Sequence, residues 1–436
     1  MEDGEGWRIR DEDEGCGMPV TIVGHRSFDE AIARSRRTPI AGHTMLDTRP
    51  GDGTPSDAEL RGHLSDALSA LELAETMPGV LSSAEHQLAS LMQSRLAEHP
   101  DDITVTTRPA PGGGLEVRFD QGDLFGWFQS LFEWWRGIRP EPWLTAPDTP
   151  EPFGNGRRAR VALVSDWGTG LYGAPVSAAS IARDGGYDLL MHLGDVYYSG
   201  TRQEVQHRFL DVWPRVSGAT SRALNSNHEM YTGGEGLFRL TLPEFGQAAT
   251  YCALQTADWL LVGLDSAYAD HDLYGRQVSW LEQLLERSGD RRVMLFSHHP
   301  PFSLFDRQGP VLVERLAEVL EARRVFAWYW GHEHRCVLYD RHPVWHVLGR
   351  CVGNGGYPAY RDRLGRYDRR DEVWRRVPGR NLVPGALVLD WPNPDVPGHE
   401  ERYGAHGYVT IELDGPRLRE DVHLADGTIV RSERLA

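Results

Sequence analysis

Lysine is missing from this sequence altogether. Its 46 basic residues are therefore all arginine, and 63 acidic residues leave a formal net charge of −17. A chain this negative repels phosphate backbones, so no binding to nucleic acid is expected unless a local basic patch overrides the field. Cysteine is scarce as well. Cys16, Cys252, Cys336 and Cys351 are scattered without CxxC spacing, which speaks against a disulfide framework or a zinc knuckle. No run of about 18 apolar residues occurs, so no membrane span is expected. The amino-terminal stretch MEDGEGWRIRDEDEGCG is acidic and has no apolar segment of the kind a secretory signal needs, which makes a cytoplasmic location the expectation. There is also no internal repeat.

What remains is ordinary for a globular protein: 40% apolar and 25% charged residues over 436 positions. That length exceeds one typical domain and predicts two, or one large domain with an appendage. Residues 1–55 are rich in Gly, Pro, Asp and Arg, with PVTIVG (19–24) as a possible strand. Two helices are signalled by capping boxes, in which a serine accepts from a free backbone N–H and a glutamate reaches back. The first pairs Ser56 with Glu59 and continues through Leu60, Leu64, Leu68 and Leu71. The second starts at Ser82 or Ser83 and continues through Leu88, Met92 and Leu96. ITVTTR and LEVRF around PAPGGG predict a β-hairpin.

DLFGWFQSLFEWWRGI (123–138) reads as an aromatic helix. Its charges, Asp123, Glu133 and Arg136, lack the cationic face of a membrane-surface helix, so packing against the rest of the protein is expected. The proline-rich stretch 140–156 then reads as a linker, dividing an accessory region at 1–155 from a second domain at 156–436.

From residue 157 strands alternate with helices: ARVALVSD, a helix near 176–184, YDLLMHLGD, WLLVGLDS, SWLEQLLERSG, RRVMLFSHHP, VLVERLAEVLEAR and VFAWYWGHEH. Three antiparallel strands are expected beyond 405. The pattern is that of an α/β protein whose site lies at the carboxyl ends of its strands. Several strands end in residues that bind metals: Asp166 in SDWG, GDVYY (194–198), NHE (227–229), SHHP (297–300) and GHEH (331–334). Singly each motif is weak, because a lone His or Asp at a strand end is usually satisfied by backbone hydrogen bonds. Their number, order and placement point together to a metal centre. Carboxylates, one amide oxygen and several imidazoles suit a pair of borderline-hard ions, and such a pair clamps the oxygens of a displacement at phosphorus.

In this order the motifs resemble the calcineurin-like metallophosphoesterase superfamily over roughly residues 158–357. The resemblance implies a four-layer α/β/β/α sandwich, here with an amino-terminal α+β appendage. Most of that superfamily begins with DxH, whereas position 168 here is glycine. The purple acid phosphatase branch has DxG instead and replaces the lost histidine with the tyrosine of GDxxY, the position of Tyr198. The resemblance then implies one metal held by Asp166, Asp195, Tyr198 and His334, and a second held by Asp195, Asn227, His298 and His332. Tyr197 competes with Tyr198, but the family motif favours Tyr198. A phenol with a free pKa of about 10 binds as phenolate only to a strongly acidic ion, so Fe3+ is expected in site 1 and Fe2+, Zn2+ or Mn2+ in site 2. Ser226 stands where the family has glycine in GNH. His299 would point to the opposite face if the strand continues, so a structural or supporting role is expected of it, and Glu333 and Glu229 do not match ligand positions.

The implied reaction is phosphoester hydrolysis by a metal-bound hydroxide, with His228 protonating the leaving group and Glu229 orienting His228. A small phosphoester is the expected substrate. A purple acid phosphatase-like phosphomonoesterase is the first reading. A phosphodiesterase for a cyclic nucleotide or other diester is the second, and an inactive metal-bound domain serving a partner-binding amino-terminal region the third. An Arg-rich insertion near 358–400 has eight arginines in 361–380. It is either a phosphate clamp or a solvated loop neutralised by Asp362, Asp368, Asp371 and Glu372.

Overall fold

The computed structural model describes residues 137–268, 273–306, 309–361, 382–396, 398 and 400–436, and before them residues 63, 66–67, 87–98, 105–109, 115–119 and 135. The chain divides into two compact units, Met1–Ile138 and Arg139–Ala436.

In the first unit the leucine spacing of the second expected helix produces Gln87–Glu98, which buries Leu88, Leu91 and Met92. The alternating segments form the hairpin, β1 (Val105–Pro109) antiparallel to β2 (Leu115–Phe119), with Val105 opposite Phe119. Of the helix beginning at Ser56, residues 63, 66 and 67 are described and helical; of the aromatic helix, residues 135 and 137. The stretch 19–24, the serine caps and the rest of both helices lie outside the described residues.

The second unit holds β3 (Glu151–Pro152), β4 (Arg158–Val164), β5 (Leu189–His192), β6 (Thr220–Ala223), β7 (Cys252–Gln255), β8 (Trp259–Gly263), β9 (Arg292–Ser297), β10 (Val325–Trp330), β11 (Cys336–Arg341), β12 (Leu348–Val352), β13 (Ala386–Leu389), β14 (Gly407–Asp414), β15 (Arg417–Leu424) and β16 (Ile429–Arg434). They build two sheets. One runs β13-β11-β12-β10-β9-β8-β7-β3 and the other β16-β15-β14-β4-β5-β6. At the centre of each the strands are parallel, β8, β9, β10 and β12 in the first and β4, β5 and β6 in the second. The last three strands close the second sheet in antiparallel fashion.

Successive residues of a strand face opposite ways, and here both faces are apolar. On β4, Val161 and Leu163 enter the layer between the sheets, against Met294 and Phe296 of β9 and Ile411 of β14. Ala162 and Val164 face outward onto Ala174, Ala178 and Ile181 of the helix Gly173–Asp184. On β9, Val293 and Leu295 face the other outer layer, with Trp280, Leu281 and Leu284 of the helix Gln277–Arg287. The order is therefore helix, sheet, sheet, helix. The layer between the sheets also carries a buried ion pair: Arg350 of β12 meets Glu420 of β15 at 2.9 Å, and the Tyr329 hydroxyl of β10 donates to the same carboxylate at 2.6 Å.

Two expectations shift. Residues 140–156 run with the second unit instead of separating it from the first, because Trp143 is an anchor. Its ring stacks on Tyr251 at 5.2 Å and meets Tyr268 and Tyr274 edge-on. The single helix expected at 311–323 is two, Gly309–Arg315 and Ala317–Glu321, broken at Leu316 (φ −105°, ψ 18°). Of the arginine-rich stretch only Arg361 is described, and Asp390 and Glu401 pair with it at 2.7 and 2.6 Å. Cys252, Cys336 and Cys351 are buried free thiols, while Cys16 lies outside the described residues. Among the described residues no helix is long and apolar enough to cross a membrane.

Candidate metal centre and active site

Parallel strands put their carboxyl ends on one edge, and the candidate ligands follow those ends. Asp166 lies two residues beyond β4, Asp195 three beyond β5 and Asn227 four beyond β6; His298 follows β9 directly, and His332 and His334 follow β10. To aim back at the edge the chain must turn sharply. Asp166, Asp195, His332 and His334 all sit at positive φ, from 53° to 76°, a strained region for residues with a side chain. Gly331 allows the closest approach: a Cβ there would overlap Ser165 Oγ and stand 2.5 Å from Asp166 Oδ2. At Gly168 (φ 67°) a Cβ would meet the Gly356 and Tyr357 backbone at 3.2 Å, so that backbone packs closely over the glycine.

Six of the seven expected ligands converge. His298 Nε2 is 3.2 Å from Asp195 Oδ1, 3.0 Å from Asn227 Oδ1 and 3.2 Å from His332 Nδ1. His334 Nε2 is 3.5 Å from Asp166 Oδ1 and 3.8 Å from Asp195 Oδ2. The ligand atoms of Asp166, Asp195 and His334 lie within 4.8 Å of one another, as do those of His298, His299 and His332. The last grouping corrects the reading of His299, which turns toward the cluster while Ser266 holds its Nδ1 at 3.0 Å.

The seventh expected ligand, Tyr198, is not the phenol found nearest the other six. The phenol that enters the cluster belongs to Tyr197: its hydroxyl is 2.9 Å from Asp195 Oδ2 and 2.5 Å from His334 Nε2. The Tyr198 ring instead lies under the Arg208 guanidinium, 5.0 Å from its centroid. Glu204 fixes this outcome by accepting the backbone N–H groups of Tyr198 (2.6 Å), Ser199 (2.9 Å) and Thr201 (3.2 Å), while Arg208 donates to the Tyr197 carbonyl at 3.0 Å.

Glu229 is likewise not the partner of His228. Its carboxylate accepts from the backbone N–H groups of Asp195 and Val196, at 3.2 and 3.1 Å, and from the Ser226 hydroxyl. It therefore steadies the loop that carries Asp195. The His228 Nδ1–H donates to the Tyr198 carbonyl at 2.6 Å, which leaves Nε2 as the exchangeable nitrogen. Ser226 needs no glycine conformation, since its backbone is extended (φ −135°, ψ 174°). Its hydroxyl accepts from the His228 N–H and caps the turn Asn227–Met230.

Burial without counter-charge shapes the electrostatics. Asp166 is held well above the usual carboxylate range, first by burial and then by the charge of Asp195. Burial pushes Asp195 the same way, but the imidazoles of His298, His228 and His334 outweigh it and leave its pKa lowered. Burial lowers His298 to about 3, so it presents a lone pair, and burial followed by the Asp195 charge raises Glu229 to about 8. Burial acts against protonation of His332 too, yet a hydrogen bond and the charge of Asp306 lift it to about 9. Asp166 Oδ1 and Asp195 Oδ1 are buried without a hydrogen-bond partner. Two carboxylate oxygens in that condition, ringed by imidazoles, fit the donor set of a cation pair.

Residues 159–336 match the calcineurin-like phosphoesterase family. The chain carries a calcineurin-like phosphoesterase domain. A relative with the name "Probable glycerophosphodiester phosphodiesterase GpdQ", from Arcobacter nitrofigilis, is 28% identical over 160 residues, which are 34% of this chain and 57% of that protein's length. A purple acid phosphatase from yellow lupin (Lupinus luteus) seeds superposes with a TM-score of 0.45 at 14% identity, over 67% of this chain and 55% of its own. A PhoD structure superposes with a TM-score of 0.40 at 13% identity, over 67% and 70%.

Within the phosphoesterase domain, three residues close to the cluster were not among the expected site residues. Tyr357 stacks on His334 with ring centroids 4.0 Å apart, Asp306 reaches His332 Nε2 at 3.1 Å, and Glu204 shapes the tyrosine loop. Glu204 lies only six residues beyond Tyr198 and Tyr357 ends the glycine-rich stretch VGNGGY (352–357), whereas Asp306 had no local cue.

Proposed function

We propose that the domain hydrolyses phosphoesters with a dinuclear centre, and that the preferred substrate is a small phosphomonoester. One ion would be held by Asp166, Asp195, Tyr197 and His334, the other by Asp195, Asn227, His298 and His332. The observation that carries this reading is the Tyr197 hydroxyl lying between Asp195 and His334, which adds a phenol to an otherwise carboxylate and imidazole set. A phenolate donor favours Fe3+ in that position, with Fe2+, Zn2+ or Mn2+ in the other. A cation pair of this kind lowers the pKa of water and neutralises phosphoryl oxygens. The chain's own contribution is to hold the donors at one edge and to offer His228 Nε2 as the proton donor for the leaving alkoxide.

The relative with a diesterase name supports a second reading, in which the same site cleaves a phosphodiester. Parallel assays with a monoester and a diester decide between the two. Iron content per chain after aerobic purification, together with a visible tyrosinate absorption, tests the phenolate. Turnover of neither ester by protein loaded with two metals would leave the partner-binding reading in place of both.

A further inference from the structure

The loop that follows His298 returns to the site by a route independent of the metal motifs. At its tip the Ser303 hydroxyl oxygen accepts from the backbone N–H groups of Phe305 and Asp306, at 2.8 and 2.9 Å, closing a tight turn. The same hydroxyl donates to Glu333 Oε2 at 2.6 Å, and Glu333 Oε1 accepts from the Trp330 indole N–H at 2.7 Å. Glu333 stands between His332 and His334, so the 303–306 turn is fastened to the segment that presents both imidazoles. The turn delivers the Asp306 carboxylate, 8% exposed, to within 3.1 Å of His332 Nε2. The opposite nitrogen, His332 Nδ1, faces His298 Nε2 at 3.2 Å, inside the cluster.

We propose that Asp306 is the positioning carboxylate of the second metal site: it takes the Nε2–H of His332, fixes the tautomer whose Nδ1 lone pair faces the ion, and strengthens that lone pair as a donor. An imidazole whose far N–H is given to a carboxylate is both oriented and made more basic. His298 has a weaker support, since its Nδ1 faces the neutral carbonyl of Leu193 at 3.0 Å. The two imidazoles of the second site therefore differ in what stands behind them, and the charged support is the one whose removal costs most. Asp306 touches neither substrate nor ion; it acts through His332.

The inference rests on the two-ion reading, and calorimetric metal titration separates the two. Full-length protein stripped with a chelator is titrated with Mn2+ or Zn2+ alone, without substrate. Wild type shows two binding events. Asp306→Asn, which keeps the shape and removes the charge, weakens the second event roughly 10- to 100-fold and leaves the first unchanged. Ser303→Ala retains the carboxylate but frees the turn, and weakens the same event by less; it also serves if Asp306→Asn fails to fold. Wild-type affinity at both events in Asp306→Asn overturns the proposal, and so does an equal loss at both, which a merely structural residue would give. A wild type that binds one ion or none instead overturns the dinuclear reading on which the proposal stands.

Discussion

The hydroxyl of Tyr197 donates to Asp195 Oδ2 across 2.9 Å, two residues along the same loop. That placement makes the two tyrosines of GDVYY separable by experiment. Tyr197→Phe should abolish a visible phenolate-to-iron absorption in aerobically purified protein, while Tyr198→Phe keeps it. The converse result would return the ligand role to Tyr198.

His228 should behave as an acid and not as a ligand. With Nδ1 committed to the Tyr198 carbonyl, His228→Ala keeps both ions and lowers kcat by about 10²- to 10⁴-fold for esters with poor leaving groups. For a nitrophenolate leaving group, which needs no proton, the loss should be small. Equal losses for both classes of ester would contradict the assignment.

These two residues also show where reading the sequence stops. Asp166, Asp195, Asn227, His298, His332 and His334 were legible because each lies within four residues of a strand end, and strand ends follow from apolar runs. Which of two adjacent tyrosines faces inward is not local: Glu204 and Arg208, from the next helical segment, set the path of that loop. The partner of Glu229 was missed for the same reason, since it bonds a backbone 33 and 34 residues earlier in the chain. The layers of the second unit were legible in alternating runs such as RVALV. Trp143 was not, because its partners Tyr251, Tyr268 and Tyr274 lie more than a hundred residues away.

Gly331→Ala should damage the site while leaving the remainder of the fold intact. The added methyl overlaps Ser165 Oγ and crowds Asp166 Oδ2, so the β4 end must shift, at a cost of about 1–3 kcal/mol. A lower melting temperature together with reduced metal uptake is expected. Wild-type values for both would show that the edge is looser than the structure implies.

Acid should weaken the fold through His342, which follows β11 and is not one of the expected ligands. Its Nδ1 accepts from the backbone N–H of Trp345 at 3.1 Å, its Nε2–H donates to the Leu382 carbonyl at 3.0 Å, and its ring stacks on Trp345 at 3.9 Å. Burial lowers its pKa from 6.5 to about 4. The unfolded chain therefore takes up this proton first on acidification. The contribution is complete above pH 6.5 and is lost as pH falls toward about 4. Melting curves across that window should show a smaller acid-induced drop for His342→Gln than for wild type; identical slopes would remove His342 from the account.

Asp166, Asp195 and Asn227 hang from one sheet, and His298, His332 and His334 from the other. Cations bound among them would act as rivets through the seam, adding to the Arg350–Glu420 pair that already spans it. Sliding one sheet over its neighbour and releasing the ions then become a single event, and chelation would loosen the whole sandwich along with its catalytic edge.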